Sequence, residues 1–258
     1  MKMKYLIILF VALIAQSCSN EKIENDWTRD NLQGKVMSYS EFKYEAEERF
    51  GNIEKAQPKR YNNPHNRQIK YDENGNITEE STYNSDGSLF QNWIWKYDEN
   101  GNNTEQNVYN SDGSVDTKHT LKYDENGNVT EENWYNSDGS LDRKIFVKYD
   151  ENGNKTEQNV YNSDGSFYYK VTKKYDENGN RFEWNRYNSD GSLNIKYTFK
   201  YDENGNAFEK NIYNSDGNLD TKSTYKYEFD KQGNWIKKIE FKDGIPKYIL
   251  ERKYEYYD

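Results

Sequence analysis

The chain has 258 residues and a net charge of -9, with 36 basic and 45 acidic side chains. This acidic balance argues against sequence-independent binding of DNA or RNA, which relies on a basic surface. Hydrophobic residues make up only 33% of the chain, yet 16% of it is aromatic. Because disordered chains are poor in aromatic residues, we expect a folded protein whose buried area comes mainly from tyrosine and tryptophan.

The first twenty residues differ in composition from the rest. Lys2 and Lys4 precede an apolar run over residues 6–14, and small residues lead to Cys18, the only cysteine. This pattern predicts a signal peptide over residues 1–17, because its apolar run is much shorter than the roughly 20 residues of a membrane-spanning helix. The position of Cys18 predicts lipidation. The alternative is an ordinary signal peptide cut nearby, which would leave a free thiol.

Lipidation at Cys18 would make the chain an outer membrane lipoprotein, on the cell surface or the periplasmic face. We interpret residues 18–31 as the lipidated cysteine and a polar tether, and residues 32–258 as one β-repeat array. The units at about 32–66 and 227–258 are degenerate and are interpreted as caps. The expected partner of the lipid is the membrane.

The array consists of tandem repeats with a period of 26 residues. Tyr-Asp-Glu-Asn-Gly-Asn first begins at Tyr71 and Tyr-Asn-Ser-Asp-Gly first begins at Tyr83, and each motif occurs six times. Such self-similarity is typical of architectures in which each unit buries its face against its neighbours. The two turn signals in each unit are separated by runs of about 7 to 10 residues, which predicts an antiparallel β-meander of two-strand units.

Two kinds of hairpin turn fit the repeated dipeptides Asn74-Gly75 and Asp86-Gly87. One is a two-residue type I′ turn, and the other is a type I turn followed by a glycine bulge. Sequence alone leaves this choice open. The parity of the strand faces across each turn therefore stays open too.

The runs between the turns alternate with a period of two. In the run that begins at Leu193, one face is apolar and aromatic and the other is rich in lysine. Glutamates of the shorter strands are expected to pair with these lysines. The array should hold about 17 strands, and open sheets rarely exceed about ten without curling. We therefore expect an all-β, long curled or spiral sheet with a concave aromatic face and capped edges, in preference to a closed barrel.

Six aromatic residues are the candidate ligand contacts. Four of them lie on long strands, and Trp134 and Trp184 lie on short strands, where they face away from the tyrosine of their own strand. Aromatic residues on a polar face favour a contact role, whereas those on the apolar face could simply form the sheet's core. The six candidates are Trp93, Trp95, Trp134, Tyr169, Trp184 and Tyr197.

No residue pattern indicates catalysis, a metal or a cofactor. His65 and His119 are the only histidines, and neither lies in a metal-ligand spacing or near a nucleophile motif. The loop that begins at Asp72 has alternate oxygen ligands like a calcium loop, but its glycine is one position early and its twelfth residue is Tyr83. We therefore predict plain turn chemistry and a protein that is not an enzyme.

The motif over residues 122–128, Lys-Tyr-Asp-Glu-Asn-Gly-Asn, followed by Asp138-Gly139, resembles the YD-repeat (RHS-type) family. The resemblance covers roughly residues 67–245. It implies a spiralling β-sheet, which in large members forms a shell around a toxic cargo. This chain is too short for that role and resembles the short lipoprotein members seen in the Bacteroidetes.

Two functions follow as expectations. The first is a surface or envelope lipoprotein that binds or adheres to a carbohydrate or a partner protein through many similar weak sites. The carbohydrate part of this expectation comes from analogy with the YD-repeat family. The second is a passive scaffold, spacer or periplasmic immunity-type lipoprotein without a ligand.

Overall fold

The computed structural model describes residues 25–56 and 66–258, so Cys18, the predicted signal peptide and His65 lie outside the described residues. The described part contains one short helix, α1 (Asp26–Arg29), and seventeen β-strands. The strands are β1 (Val36–Arg49), β2 (Asn52–Lys55), β3 (Asn66–Tyr71), β4 (Ile77–Tyr83), β5 (Leu89–Tyr97), β6 (Asn103–Asn110), β7 (Val115–Tyr123), β8 (Val129–Asn136), β9 (Leu141–Tyr149), β10 (Lys155–Asn162), β11 (Phe167–Tyr175), β12 (Arg181–Asn188), β13 (Leu193–Tyr201), β14 (Ala207–Tyr213), β15 (Leu219–Phe229), β16 (Trp235–Lys242) and β17 (Ile245–Tyr256).

The repeated turns are type I turns followed by a glycine bulge. In the first of them the Gly75 N–H donates to the Asp72 carbonyl at 3.0 Å, and the Asp72 N–H donates to the Asn76 carbonyl at 2.9 Å. Gly75 has a φ of 86°, a left-handed conformation that glycine adopts without a steric penalty. Asn74 does not share it, which excludes the type I′ alternative here. Each bulge adds one unpaired residue and so fixes which side chains share a face.

Two turns in the degenerate end units have the other geometry. Phe50 and Gly51 connect β1 to β2, and Asp243 and Gly244 connect β16 to β17, with positive φ at both residues of each pair. Two consecutive left-handed residues define a type I′ hairpin. The two turn types that the sequence leaves open therefore both occur, one in the regular units and one at the ends.

The sheet closes into a barrel, so the expected open curled or spiral sheet is wrong. β1 pairs antiparallel with β17 on one side and with β3 on the other. The ring therefore contains sixteen strands, β1 and β3 to β17, all paired with their neighbours. β2 stays outside the ring and pairs with the last residues of β1.

Closure follows from strand number and from the chemistry of the end units. In an antiparallel meander with an even number of strands, the first and last strands run in opposite directions and can pair. The seam extends from Val36 opposite Tyr256 to Glu45 opposite Tyr248. Pairing removes both exposed edges of the sheet, which are otherwise templates for aggregation. The end units predicted as caps are the two sides of this seam.

The inner face of the barrel is identified by side chains that meet across several strands. Tyr39, Glu80, Trp95 and Lys238 come from β1, β4, β5 and β16, yet they line a single cavity. Starting from these residues, the strand register assigns every other pair to the inner or the outer face. A circular ring of sixteen strands measures roughly 30 to 35 Å between opposite backbones, given about 4.8 Å per strand and the usual tilt. Such a ring encloses a water-accessible lumen.

The well-packed parts of the interior are two small hydrophobic clusters. One surrounds the seam and includes Val36, Tyr39 and Ile69, and the other surrounds Ile145 and Val160. Most remaining inward side chains are only half-buried. The barrel therefore has local packing centres and no continuous core, as expected of a chain with few aliphatic residues.

Residues 25–35 cross one end of the barrel, and we call them the N-terminal strap. α1 lies against the first turn, where the Trp27 N–H donates to the Gly75 carbonyl at 3.2 Å. Farther along, Asn31 donates to the Asn204 carbonyl at 3.0 Å, and the Gln33 N–H donates to the Asn234 side chain at 2.8 Å. The strap thus joins rim turns of distant strands. No helix in the described ranges 25–56 and 66–258 is long and apolar enough to cross a membrane.

Candidate ligand-binding lumen

The first aromatic cluster lies on the inner face of β5 to β8. Trp93 stacks on Trp95 with ring centroids 6.2 Å apart, and it meets the edge of His119 at the same distance. His119 in turn stacks almost parallel on Trp134 at 4.5 Å. Burial lowers the pKa of His119, although the nearby Glu132 opposes this shift. His119 is thus the third ring in a ladder of four aromatic side chains. The indole N–H of Trp134, at the end of the ladder, has no hydrogen-bond partner.

The second aromatic cluster lies on the inner face of β11 to β13. The ring of Trp184 meets the edge of Tyr197 at 5.2 Å, and Tyr197 stacks on Phe199 at 6.4 Å. Tyr169 lies under the guanidinium of Arg186, with 4.1 Å from its carbon to the ring centroid. The two clusters present half-buried rings to the lumen from different sides of the barrel wall.

All six candidate contact residues therefore face the lumen. The four on long strands lie on the concave aromatic face, and Trp134 and Trp184 share that face. Trp134 is opposite His119, and Trp184 is opposite Tyr197. The glycine bulges cause this arrangement, because each one shifts the register by one residue before the short strand begins. The two short-strand tryptophans thus join the long-strand rings and do not form a separate surface.

Basic residues accompany the second cluster, and sequence reasoning did not single them out. Lys173 lies directly opposite Trp184, and Lys210 lies opposite Phe199. Lys210 is 5.0 Å from the Tyr197 ring, and Arg181 is 5.2 Å from the Phe199 ring. Cations over ring faces are favourable contacts that leave the charge unneutralised.

A cavity of about 340 Å³ lies beneath the N-terminal strap, and Trp95 of the first aromatic cluster is among its lining residues. Its wall contains an ionic network in which Glu41 accepts hydrogen bonds from Arg252 at 2.8 Å and from Arg67 at 3.1 Å. Burial alone would raise the pKa of Glu41, but the two guanidinium groups hold it below its usual value. Its other wall includes Lys238, whose ammonium is 4.7 Å from the Trp235 ring.

The outer face is a regular ladder of ion pairs. Glu105 lies between Lys96 at 2.6 Å and Lys118 at 2.5 Å, and it accepts a hydrogen bond from Asn107 at 2.7 Å. Hydrogen bonds from Lys118, Lys96 and Asn107 lower the pKa of Glu105 to about 2. The arrangement recurs around Glu183 and Glu209. The expected pairing of short-strand glutamates with long-strand lysines is thus present, and it covers the outside of the barrel with fixed charges.

A comparison of the repeat units separates the two faces. On the outer face, the glutamate at Glu79 and the lysine at Lys96 recur in the following copies at intervals of 26 residues. On the inner face the position of Trp95 changes from copy to copy, to Leu121, Val147, Lys173, Phe199 and Tyr225. The position of Thr82 becomes Val108, Trp134, Val160, Arg186 and Ile212. Copy-to-copy variation is therefore concentrated in the lumen, and it is the sequence signal that reveals Lys173 and Arg186.

The turn carboxylates are used within their own turns. Asp72 accepts hydrogen bonds from the backbone N–H groups of Asn74 and Asn76, both at 2.9 Å, and from the Asn76 side chain at 3.0 Å. This is the turn chemistry expected in place of a calcium loop. Within residues 25–56 and 66–258, no group of three or more His, Cys, Asp or Glu side chains is placed to hold a metal ion.

Comparison with known proteins shows which solved structures have a similar fold. No family model matches the sequence, and no curated protein matches it. A porin-like protein from Bacteroides uniformis superimposes with a TM-score of 0.55 at 12% identity, covering 86% of this chain and 98% of that one. At this identity the likeness shows the fold alone, a closed antiparallel barrel.

Two further solved structures are similar at lower scores. A porin-like protein from Bacteroides vulgatus has a TM-score of 0.42 at 13% identity and covers 85% of this chain and 98% of its own. The Tc holotoxin pore of Photorhabdus luminescens has a TM-score of 0.33 at 12% identity, over 71% of this chain and 11% of that one. Neither score is high enough to carry an argument about this chain.

Proposed function

We propose that this chain is an envelope lipoprotein whose barrel binds an oligosaccharide in its lumen through the two aromatic clusters. The observation that carries the proposal is the concentration of repeat-to-repeat variation at inward-facing positions, such as those of Trp95 and Thr82. A purely structural barrel needs no such diversity, because identical inner residues would pack equally in every unit. Half-buried rings that surround an enclosed, water-accessible space are typical of small-ligand sites.

The geometry favours an oligosaccharide over a folded protein partner. The aromatic rings lie inside a lumen roughly 30 to 35 Å across between backbones, which the flat surface of a globular protein cannot reach. A sugar chain is narrow enough to enter, and its ring faces can stack on tryptophan and tyrosine. In this proposal, the many similar weak sites expected on an open sheet become contacts inside the barrel.

The outer face supports a barrel surrounded by water. Paired Lys and Glu side chains such as Lys96 with Glu105 and Lys200 with Glu209 cover the strands where a lipid-facing barrel requires an apolar band. Attachment through lipid on Cys18, at the cell surface or on the periplasmic face, is consistent with such an exterior. We also propose that the chain is related to the short YD-repeat lipoproteins of the Bacteroidetes, on the basis of its Tyr-Asp and Gly-Asn motifs.

The test is titration of the purified full chain with soluble dextran-derived oligosaccharides, monitored by intrinsic tryptophan fluorescence. We expect saturable binding, and a variant carrying Trp134→Leu and Trp184→Leu should bind at least about tenfold more weakly, as for buried aromatic anchors. The matched control carries Phe146→Leu and Phe182→Leu, two exposed aromatic residues of the outer face. Equal affinities of the two double variants would contradict a lumen site.

A further inference from the structure

We infer that the ligand of the lumen is an anionic oligosaccharide, bound by four unpaired cations that alternate with the rings of the second aromatic cluster. This inference rests on the proposed function and names its ligand class. The cations are Lys173, Arg181, Arg186 and Lys210. They lie on β11, β12 and β14. In the ring, β12 is next to β11, and β13 lies between β12 and β14.

The first argument is the absence of acidic partners. In the part of the chain that the structure describes, none of these four side chains forms a salt bridge, whereas Lys174 and Lys196 on the outer face of the same region bind Glu183 at 2.9 and 2.7 Å. The Nε atoms of Arg181 and Arg186 are buried and have no hydrogen-bond partner. Buried donors without a partner are costly in a native protein. A ligand oxygen in the lumen would satisfy them.

The second argument is the arrangement of charge and ring. Lys173 is directly opposite Trp184 across the β11–β12 pair, and Trp184 is opposite Tyr197 across the next pair. Arg186 lies 4.1 Å over the Tyr169 ring. Directly opposed side chains on one face are about 5 Å apart at Cβ. A stacking surface and a cation are therefore available at similar intervals, which suits a chain of sugar rings that bear acidic groups.

The third argument is the mutual repulsion of the cations. Burial, together with the nearby charges of Lys155 and Arg181, lowers the pKa of Lys173 to about 8, although the more weakly acting Glu132 opposes this shift. A bound carboxylate or sulfate would favour the charged form of this amine and relieve the repulsion. Guanidinium groups are also suited to carboxylate and sulfate oxygens, because their planar donors can form paired hydrogen bonds.

The distribution of charge over the molecule agrees with this ligand class. The net charge of -9 comes with acidic turns at both rims, such as those that contain Asp98 and Asp190, while the lumen wall of β11 to β14 is basic. Rim carboxylates exposed to solvent are screened over about 8 Å at physiological salt. The cations inside the barrel are shielded less, so they dominate for a ligand that has entered.

The experiment compares three probes with one backbone: dextran, carboxymethyl-dextran and dextran sulfate oligosaccharides of equal length. Binding to the full chain is measured by tryptophan fluorescence and calorimetry. At least one anionic probe should bind about tenfold or more tightly than neutral dextran, since each charged hydrogen bond contributes about one order of magnitude. Comparison of the carboxylated with the sulfated probe identifies which acidic group the site prefers.

The decisive variant carries Lys173→Gln and Arg186→Gln. It should lose at least about tenfold in affinity for the preferred anionic probe and keep its affinity for dextran. The control variant carries Lys174→Gln and Lys196→Gln, which removes the same charge from the outer face of neighbouring strands. It should bind like the unmodified chain. Circular dichroism confirms that both variants are folded.

The other outcomes separate the two proposals. Binding of all three probes with equal affinity, weakened by Trp184→Leu and unaffected by the lumen cation variant, would overturn the anionic ligand and leave the proposed function intact. Equal losses in the lumen and control variants would overturn the inference too, because they would reflect net charge alone. Failure of every probe to bind would contradict the proposed function itself.

Discussion

The phenolic O–H of Tyr123 donates a hydrogen bond of 2.5 Å to the backbone carbonyl of Asn103, twenty residues earlier in the chain. Tyr123 is the last residue of β7, and Asn103 is the first residue of the adjacent strand β6. The bond thus ties the end of one strand to the start of its neighbour at one rim of the barrel. Equivalent bonds from the same repeat position join Tyr97 to Ile77, Tyr175 to Lys155, Tyr201 to Arg181 and Tyr227 to Ala207.

Removal of one bond from this tyrosine series should destabilise the barrel. We expect Tyr123→Phe to lower the free energy of unfolding by about 1 kcal/mol, because the Asn103 carbonyl loses its partner. In a domain of this size the melting temperature should fall by about 2 to 4 °C. Thermal unfolding followed by circular dichroism measures it. Tyr135→Phe is the control, because Tyr135 lies on the outer face of the neighbouring strand β8. An equal fall in melting temperature in both variants would contradict the stabilising role of the tyrosine series.

The N-terminal strap can be tested with two glycines in identical turns. A Cβ added at Gly75 would lie 2.6 Å from the side chains of Asn25 and Trp27, whereas one added at Gly101 would have nothing within 4 Å. Both residues have positive φ, so Gly→Ala costs about 1 kcal/mol of backbone strain at either site. Gly75→Ala alone should also release α1, seen as faster amide hydrogen exchange in residues 25–35. Identical exchange in both variants would show that the strap does not depend on this contact.

The outer ion pairs should make the barrel sensitive to acid. Hydrogen bonds from flanking lysines hold the pKa of Glu105 and Glu209 at about 2, below the ordinary value of 4.5. A carboxyl whose pKa is depressed on folding stabilises the native state above its unfolded pKa, and this contribution is lost as the pH falls through its folded pKa. Urea unfolding should therefore show stability declining from about pH 4.5 to pH 2. In Lys96→Met with Lys118→Met, the decline should be shallower, and an unchanged profile would contradict the assignment.

Lys173 should reduce stability at neutral pH, in the opposite sense to these carboxylates. Its folded pKa of about 8 lies below the ordinary 10.5, so the protonated amine is less favourable in the barrel than in the unfolded chain. Stability should increase as the pH rises from about 8 to 10.5. We expect Lys173→Met to stabilise the barrel by about 1 to 3 kcal/mol at pH 7, measured by urea unfolding. Lys174→Met on the outer face should not stabilise it, and a destabilised Lys173→Met would contradict the argument.

The strands and turns of this protein can be predicted from its sequence because they depend on local chemistry. Glycine at the turn positions, alternation along the run from Leu193, and the 26-residue period together indicate an antiparallel meander of about 17 strands. The Lys–Glu pairing of the outer face follows from the same alternation. These properties repeat in every unit, so the six copies of each turn motif all support the same prediction.

Closure could not be predicted, because it depends on contacts between the two least regular units. The seam between β1 and β17 joins residues more than 200 positions apart, such as Tyr39 and Tyr254, and neither strand carries the repeat motif intact. The sequence differences in the end units, which suggested capped edges, belong to two strands that pair with each other. Only the strand pairing around the whole ring distinguishes paired end strands from capped edges.

The sequence also could not predict which side chains of each short strand face the lumen. Trp134 and Trp184 lie in the lumen because a glycine bulge, and not a type I′ turn, precedes their strands. The two turn types differ by one residue in register, and one residue reverses every side chain of a strand. For the same reason the lumen cations Lys173 and Arg186 could not be assigned to a common wall before the turn geometry was known.

The seam also separates barrel closure from repeat number. Each internal unit contributes two strands, so gain or loss of one 26-residue unit preserves the even count that closure requires. The circumference then changes in steps of roughly 10 Å while the end strands still meet. A gene of this design can alter the bore of its barrel by copy number and the chemistry of its lining by point substitution, as two independent variables.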